Sequence, residues 1–346
     1  MKPKKTYLRI FLLVATLISL LFVPWDLLRV WLTPKSDNIQ EQVNTAIEMG
    51  LDAIIIYVDQ GGKEPTLYSS GWENRETKTP ADPNVLFKIA SISKLYIAVA
   101  TTKLVNIGSL SLDKTLAEYL PELTERIDNS DQITLRMMVK HISGIPNYSD
   151  HPDYPWENPP NNDNALELIL DTPADFEPGQ QYSYSNTNYL LIGEILDRTL
   201  GYSHHQYIKE EILNPLGLNN TYSLLSEVDI DDVMSGYYVG YEPDIKGNDF
   251  TNPGGSMIAT IEDVGIFLRA LNTGSLLDEE EQTIYASIYE FSHTGLLPGY
   301  SSIARYHKDI DAVVIQFVNT SGGNSWSKTE MVYNHIIKIV REKQHL

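Results

Sequence analysis

At 346 residues, 42% of them hydrophobic and 21% charged, the chain is long enough for one large or two ordinary domains around a substantial core. Its net charge of −20 argues against nucleic acid and anionic lipid surfaces as partners, because both would repel it. The absence of cysteine excludes disulfides, thiolate catalysis, cysteine-ligated zinc and lipoprotein-type acylation, and leaves the redox compartment open.

The first ten residues, MKPKKTYLRI, carry Lys2, Lys4, Lys5 and Arg9, and Ile10 to Val23 then run without a charge. This layout predicts a signal anchor over residues 1–34, with a transmembrane stretch at about 7–25 and Trp25 and Trp31 at the membrane interface. No A-x-A-like cleavage site follows. The positive flank would stay cytoplasmic, so the expected protein is membrane-anchored, with residues 35–346 extracytoplasmic, in the periplasm or at the cell surface.

Further along, Ala53 to Val58 reads as a buried strand, Gly61-Gly62 as a turn and Thr66 to Ser70 as the next strand. The segments Ile133–Val139, Ala165–Leu170, Tyr189–Leu200 and Ile261–Leu271 read as helices, separated by loops such as HPDYPWENPPNNDN. Thr260 caps the last of these and Gly274 ends it. YASIYEF reads as strand-like, Ser301–Tyr306 and Ala312–Val318 as strands. Val332, Ile336, Ile339 and Val340 share a face of a closing helix, for which Ser327 and Glu330 form a capping box. The order predicts an α/β (α+β) fold, with a sheet part at about 45–110 and 280–346 split by a largely helical insertion at about 111–279.

Three short stretches carry candidate chemistry. Ser91 and Lys94 stand three apart at the start of an apolar helix, FKIASISKLYIAVA, so they share a face and the amine can reach the hydroxyl. S-x-x-K also occurs at Ser111/Lys114 and Ser325/Lys328, but only Ser91 precedes a buried-looking helix. A buried lysine tends to shed its proton, and a serine needs a base beside it to become a nucleophile. Tyr184-Ser185-Asn186 offers a phenol whose pKa a nearby ammonium could lower, and an amide that could orient a carbonyl or Lys94. His293-Thr294-Gly295 reads as a strand edge against which a substrate backbone could pair, with a backbone N–H there joining that of Ser91 in an oxyanion hole. No H-E-x-x-H is present, His204 and His205 are expected to point apart, and His141 reads as structural.

In this order the three stretches resemble the three motifs of the serine β-lactamase and penicillin-binding-protein superfamily, nearest its class C-like branch, which also holds D,D-carboxypeptidases, D-aminopeptidases and esterases. LSLDKTLAEYLPEL, ITLRMMVKHISGIPNY, FEPGQQYSYSNTNYLLIGEIL and NPGGSMIATIEDVGIFLRAL are similar to that branch too, so the likeness spans roughly residues 50 to 340. The resemblance implies a β-lactamase/transpeptidase-like antiparallel sheet flanked by terminal helices. It makes Ser91 the nucleophile, Lys94 its proton acceptor and Tyr184 the base and acid, with Asn186 positioning substrate. His293, Thr294 and Gly295 would line the strand, and the N–H of Leu296 would complete the oxyanion hole. No metal or other cofactor is implied. The expected substrate is a small-molecule or peptide acyl compound, a D-alanyl stem peptide of peptidoglycan or a small acyl ester; a β-lactamase or a catalytically idle penicillin-binding module are the competing expectations. Two departures stand out: His293 replaces the lysine usual in β-lactamases, and Leu296 stands where relatives often carry glycine.

Overall fold

The structure is a computed structural model that describes residues 3–344. Helix α1 (Pro3–Leu20) is followed by α2 (Trp25–Leu32) and α3 (Ile39–Glu48). The expected membrane-crossing stretch at 7–25 is therefore not one helix. It stops at Leu20, Pro24 precedes α2, and among the described residues no helix is long and apolar enough to cross a membrane.

Strands β1 (Ala53–Gln60), β2 (Thr66–Asn74) and β3 (Thr79–Pro80) open the main sheet, and β4 (Phe87–Lys88) leads into a 3-10 turn, Ala90–Ile92, and α4 (Ser93–Asn106). The middle of the chain holds α5 (Asn186–Leu200), β5 (Thr221–Tyr222), β6 (Tyr237–Tyr238), β7 (Ile258–Ala259) and α6 (Ile261–Thr273). Then come α7 (Glu279–Ile288), β8 (His293–Leu297), β9 (Tyr300–His307), β10 (Ala312–Val318), β11 (Thr320–Ser321) and α8 (Ser325–Gln344).

The six-stranded sheet has the order β3-β2-β1-β10-β9-β8, antiparallel throughout, so β1 pairs with β10 from Ile54↔Val318 to Gln60↔Ala312. Residues on β1 are buried on both faces, which is why AIIIYV shows no polar alternation. Ile54, Ile56 and Val58 face one way, with Val43 of α3 and Val332 and Ile336 of α8. Ile55 and Tyr57 face the other, with Phe267 and Val264 of α6 and Tyr96 of α4, whose ring stacks on Phe267 at 3.7 Å.

Two sequence readings are corrected. Tyr285 to Ile288 belong to α7, not to a strand, because Asp278 and Glu281 form a capping box and Glu281, Tyr285 and Ile288 bury one helical face. Helix α8 begins at Ser325, two residues ahead of the expected cap.

Candidate active site

Ser91 sits in the tight turn between β4 and α4, and the backbone around it is held from several sides. Ala90 adopts a left-handed conformation (φ 54°), a strained choice for a residue with a Cβ. Its carbonyl accepts from the buried Ser93 hydroxyl at 2.6 Å, and Ser93 Oγ in turn accepts from Met257 N–H at 3.2 Å. Two residues before Ser91, Ile89 N–H donates to Met257 O, extending the β4–β7 pairing into the turn.

Lys94 is fully buried on the first turn of α4, and its Nζ lies 3.3 Å from Ser91 Oγ, 2.8 Å from Asn186 Oδ1 and 2.7 Å from Gly254 O. Burial alone lowers its pKa to about 7. As a neutral amine it has two N–H donors, which Asn186 Oδ1 and Gly254 O can take, and its lone pair is then left for the Ser91 hydroxyl. Glycine is required at 254, since a Cβ there would stand 2.9 Å from Lys94 Nζ and 2.8 Å from Tyr189 Cβ.

Tyr184 closes the other side, donating from its Oη to Ser91 Oγ at 2.8 Å. Its pKa is raised, by burial first, so the expected lowering by a lysine ammonium does not occur and the phenol keeps its proton. Asn186, expected in a loop, is the first residue of α5. Its N–H donates to Asn147 Oδ1 and its Nδ2 to Ser149 Oγ, which points its Oδ1 at Lys94.

Strand β8 is an edge strand of the main sheet and passes beside the serine turn. A Cβ at Gly295 would lie 2.4 Å from Ile89 O, 2.3 Å from Ser302 Oγ and 3.0 Å from Ala90 Cβ, so only glycine permits this approach. Thr294 precedes it, and Leu296, next along, leaves its side chain exposed. His293 stacks on Tyr289 at 5.9 Å and is held near pKa 4 by burial and by Lys94, so it is neutral at pH 7. Of the expected site residues, Ser91 touches Lys94 and Tyr184 directly and Asn186 touches Lys94, while His293 to Leu296 lie on β8, whose Gly295 backbone packs against Ile89 and Ala90.

His141, read from sequence as structural, stands directly behind the phenol. Its carbonyl accepts from Ser183 N–H at 2.9 Å and its Nδ1 from Ser185 N–H at 3.2 Å, so both neighbours of Tyr184 are tied to it. Its ring stacks on that of Tyr184 at 4.5 Å. Burial, Lys94 and His293 hold its pKa near 3, and with Nδ1 accepting, the proton sits on Nε2, which has no partner among the described residues. Gly254 was not singled out from the sequence, although the double glycine of NPGGS could have marked a close backbone approach; for His141 there was no such signal. The His204 and His205 rings lie 4.0 Å apart rather than diverging, and no group of three potential metal ligands occurs among the described residues.

The Beta-lactamase family model matches residues 49–287, more than two thirds of the chain. The chain belongs to the beta-lactamase family. Among curated relatives of this beta-lactamase-family chain, "Protein flp" of Staphylococcus aureus (strain MW2) is 26% identical over 192 residues, 54% of this chain and only 39% of that protein's length. Among solved structures, the D-amino acid amidase from Ochrobactrum anthropi SV3 superposes with a TM-score of 0.79 at 22% identity, covering 88% of this chain and 98% of the amidase. A class C beta lactamase from Rhodobacter sphaeroides gives 0.69 at 20% identity, over 88% and 99%. Identities this low carry the β-lactamase/transpeptidase-like fold and no more.

Proposed function

We propose that the protein is a serine hydrolase that cleaves amide or ester bonds through a covalent acyl-enzyme on Ser91. One observation carries this reading: the Ser91 hydroxyl lies within reach of both an amine that burial deprotonates near neutral pH and a protonated phenol. In the forward step Ser91 Oγ attacks the carbonyl carbon while its proton passes to the Lys94 amine. The oxyanion is met by the backbone N–H groups of Ser91 and Leu296. Tyr184 donates its proton to the departing nitrogen or oxygen and is reprotonated from Lys94, and the carbon–leaving-group bond breaks. Water then attacks the ester, its proton returns through the same pair, and Ser91 is released with the free acid. Asn186 orients the amine and Thr294 and Gly295 line the bound chain.

Two substrate classes are in view, D-alanyl peptides and small acyl esters or amides. The peptide brings a free carboxylate toward His293, where the neutral imidazole offers no charge to meet it. That observation favours esters and amides without a carboxylate beside the scissile bond. The test is mass spectrometry after exposure to a fluorophosphonate and, separately, a fluorescent penicillin. An adduct on Ser91 is expected, absent from Ser91→Ala and strongly slowed in Lys94→Ala; no adduct from either probe would leave a binding module of the same fold. Turnover of a D-Ala-D-Ala peptide, a D-amino-acid amide, a nitrophenyl ester and a cephalosporin then ranks the substrates.

A further inference from the structure

Beyond the catalytic cluster, Trp156, Tyr238, Val239, Tyr241 and Leu296 all expose large apolar surfaces, and they share one groove of about 560 Å³. Exposed apolar surface gathered in one concavity marks a place where something apolar binds. Its floor is the short parallel pairing of β6 with β11, where the Tyr238 ring covers Gly322. Glu157 is the only charged residue among its described lining, so the groove repels an anion and offers it no partner.

The groove is joined to the serine in two ways. One end is Leu296–Pro298, and Leu296 directly follows Gly295, whose backbone lies against Ile89 and Ala90. The wall formed by Ile245 and Asn248 is tied to the segment leading into Ser91, because Lys88 Nζ donates to Lys246 O and Asn248 O at 2.5 Å each. Asn248 Nδ2 also donates to Trp156 O, which ties that wall to the backbone that carries the indole. A chain lying along β8 with its carbonyl at Ser91 therefore runs past Leu296 into an apolar space.

We propose that this groove holds the acyl side of the substrate, and that the group it selects is an uncharged hydrocarbon, a medium-length alkyl or aromatic acyl chain. The proposal rests on the serine-hydrolase reading above. It is tested with nitrophenyl acetate, butyrate, octanoate and 4-phenylbutyrate on the full chain, alongside fluorophosphonate labelling of Ser91. For the unaltered protein, kcat/KM is expected to rise by at least about tenfold from acetate to octanoate, the lower bound for a single methylene in an apolar pocket. Trp156→Ala and Val239→Asp, both at exposed positions in the groove, are expected to flatten that rise, while Ile107→Ala, outside it at a residue 67% exposed, keeps the full profile and the Ser91 labelling. A flat or falling chain-length profile with Ser91 still labelled overturns the groove and spares the hydrolase. A rise that survives both substitutions also overturns it, as does a dimer in solution that Val239→Asp dissociates, which would give the groove to a second copy. No label on Ser91 and no ester turnover overturns the hydrolase reading and this one with it.

Discussion

A lysine surrounded only by carbonyl oxygens, a hydroxyl and aromatic rings has lost the solvation of its ammonium form with no anion to replace it. With its pKa near 7, Lys94 is protonated and unable to act as base below that pH, and free to act above it. Acylation of Ser91 measured between about pH 5 and pH 10 is therefore expected to rise through about 7 and then level off, because the Tyr184 phenol, whose pKa burial raises, adds no descending limb in that range. A profile that falls between pH 8 and 10 would assign the limb to Tyr184 and contradict the raised pKa. His141 supplies a second residue-scale prediction, as a positioning residue. His141→Ala removes the acceptor for Ser185 N–H and the surface on which Tyr184 stacks, and leaves a Cβ at φ 56°. Acylation per titrated site is expected to fall by about 10²-fold at most, the cost of small misplacements of a catalytic group, with KM little changed. His141→Asn, which keeps an acceptor and suits the left-handed backbone, is expected to recover part of the loss. A lower titrated fraction with an unchanged rate per site would make His141 merely structural.

At the level of elements, β8 has to approach the serine turn more closely than any side chain allows. Gly295→Ala would push a methyl into Ile89 O and Ser302 Oγ, and only the second obstacle is a side chain. Ser91 labelling is expected to drop by about 10²-fold or more in Gly295→Ala, on the scale of losing an oxyanion-hole donor, and Ser302→Ala is expected not to rescue it because the Ile89 carbonyl remains. Rescue would mean that the backbones are free to part. The elements themselves were unevenly legible. Long β1 and β10 and the capped α6 could be read because their hydrophobic runs and cap residues act locally. The two-residue strands β4, β5 and β7, which hold the nucleophile turn, could not, since no periodicity exists in two residues and their pairing joins segments far apart in the chain. YASIYEF misled for the opposite reason: β-prone residues were held in α7 by a cap at Asp278, upstream of them.

For the molecule as a whole, the residue types at the candidate site were visible in three short motifs, while their convergence followed from the family resemblance and from no local pattern. Lys94 and Ser91 meet through local helix geometry, but Tyr184 reaches Ser91 across 93 residues and Gly254 reaches Lys94 across 160. Such contacts depend on tertiary packing, as do the unforeseen partners of Asn186, Asn147 and Ser149. The aromatic junction at Phe87 shows what joins site and scaffold. Its ring stacks on Phe317 of β10 at 4.3 Å and meets the edge of Tyr300 of β9 at 5.1 Å, four residues ahead of Ser91. Packing of the central sheet therefore bears directly on the nucleophile turn. Phe317→Ala opens a cavity under Phe87 and is expected to lower unfolding free energy by about 3–5 kcal/mol. In urea titration the midpoint should fall at unchanged slope, whereas Ile107→Ala, at a residue 67% exposed, should move it by about 0.5 kcal/mol or less. Because the cavity lies beside β4, the rate of Ser91 labelling per folded molecule should fall in Phe317→Ala as well, and stay unchanged in Ile107→Ala. If stability fell and the rate per folded molecule did not, the turn would be held by β7 and Ser93 alone, and the sheet would support the fold without setting the site.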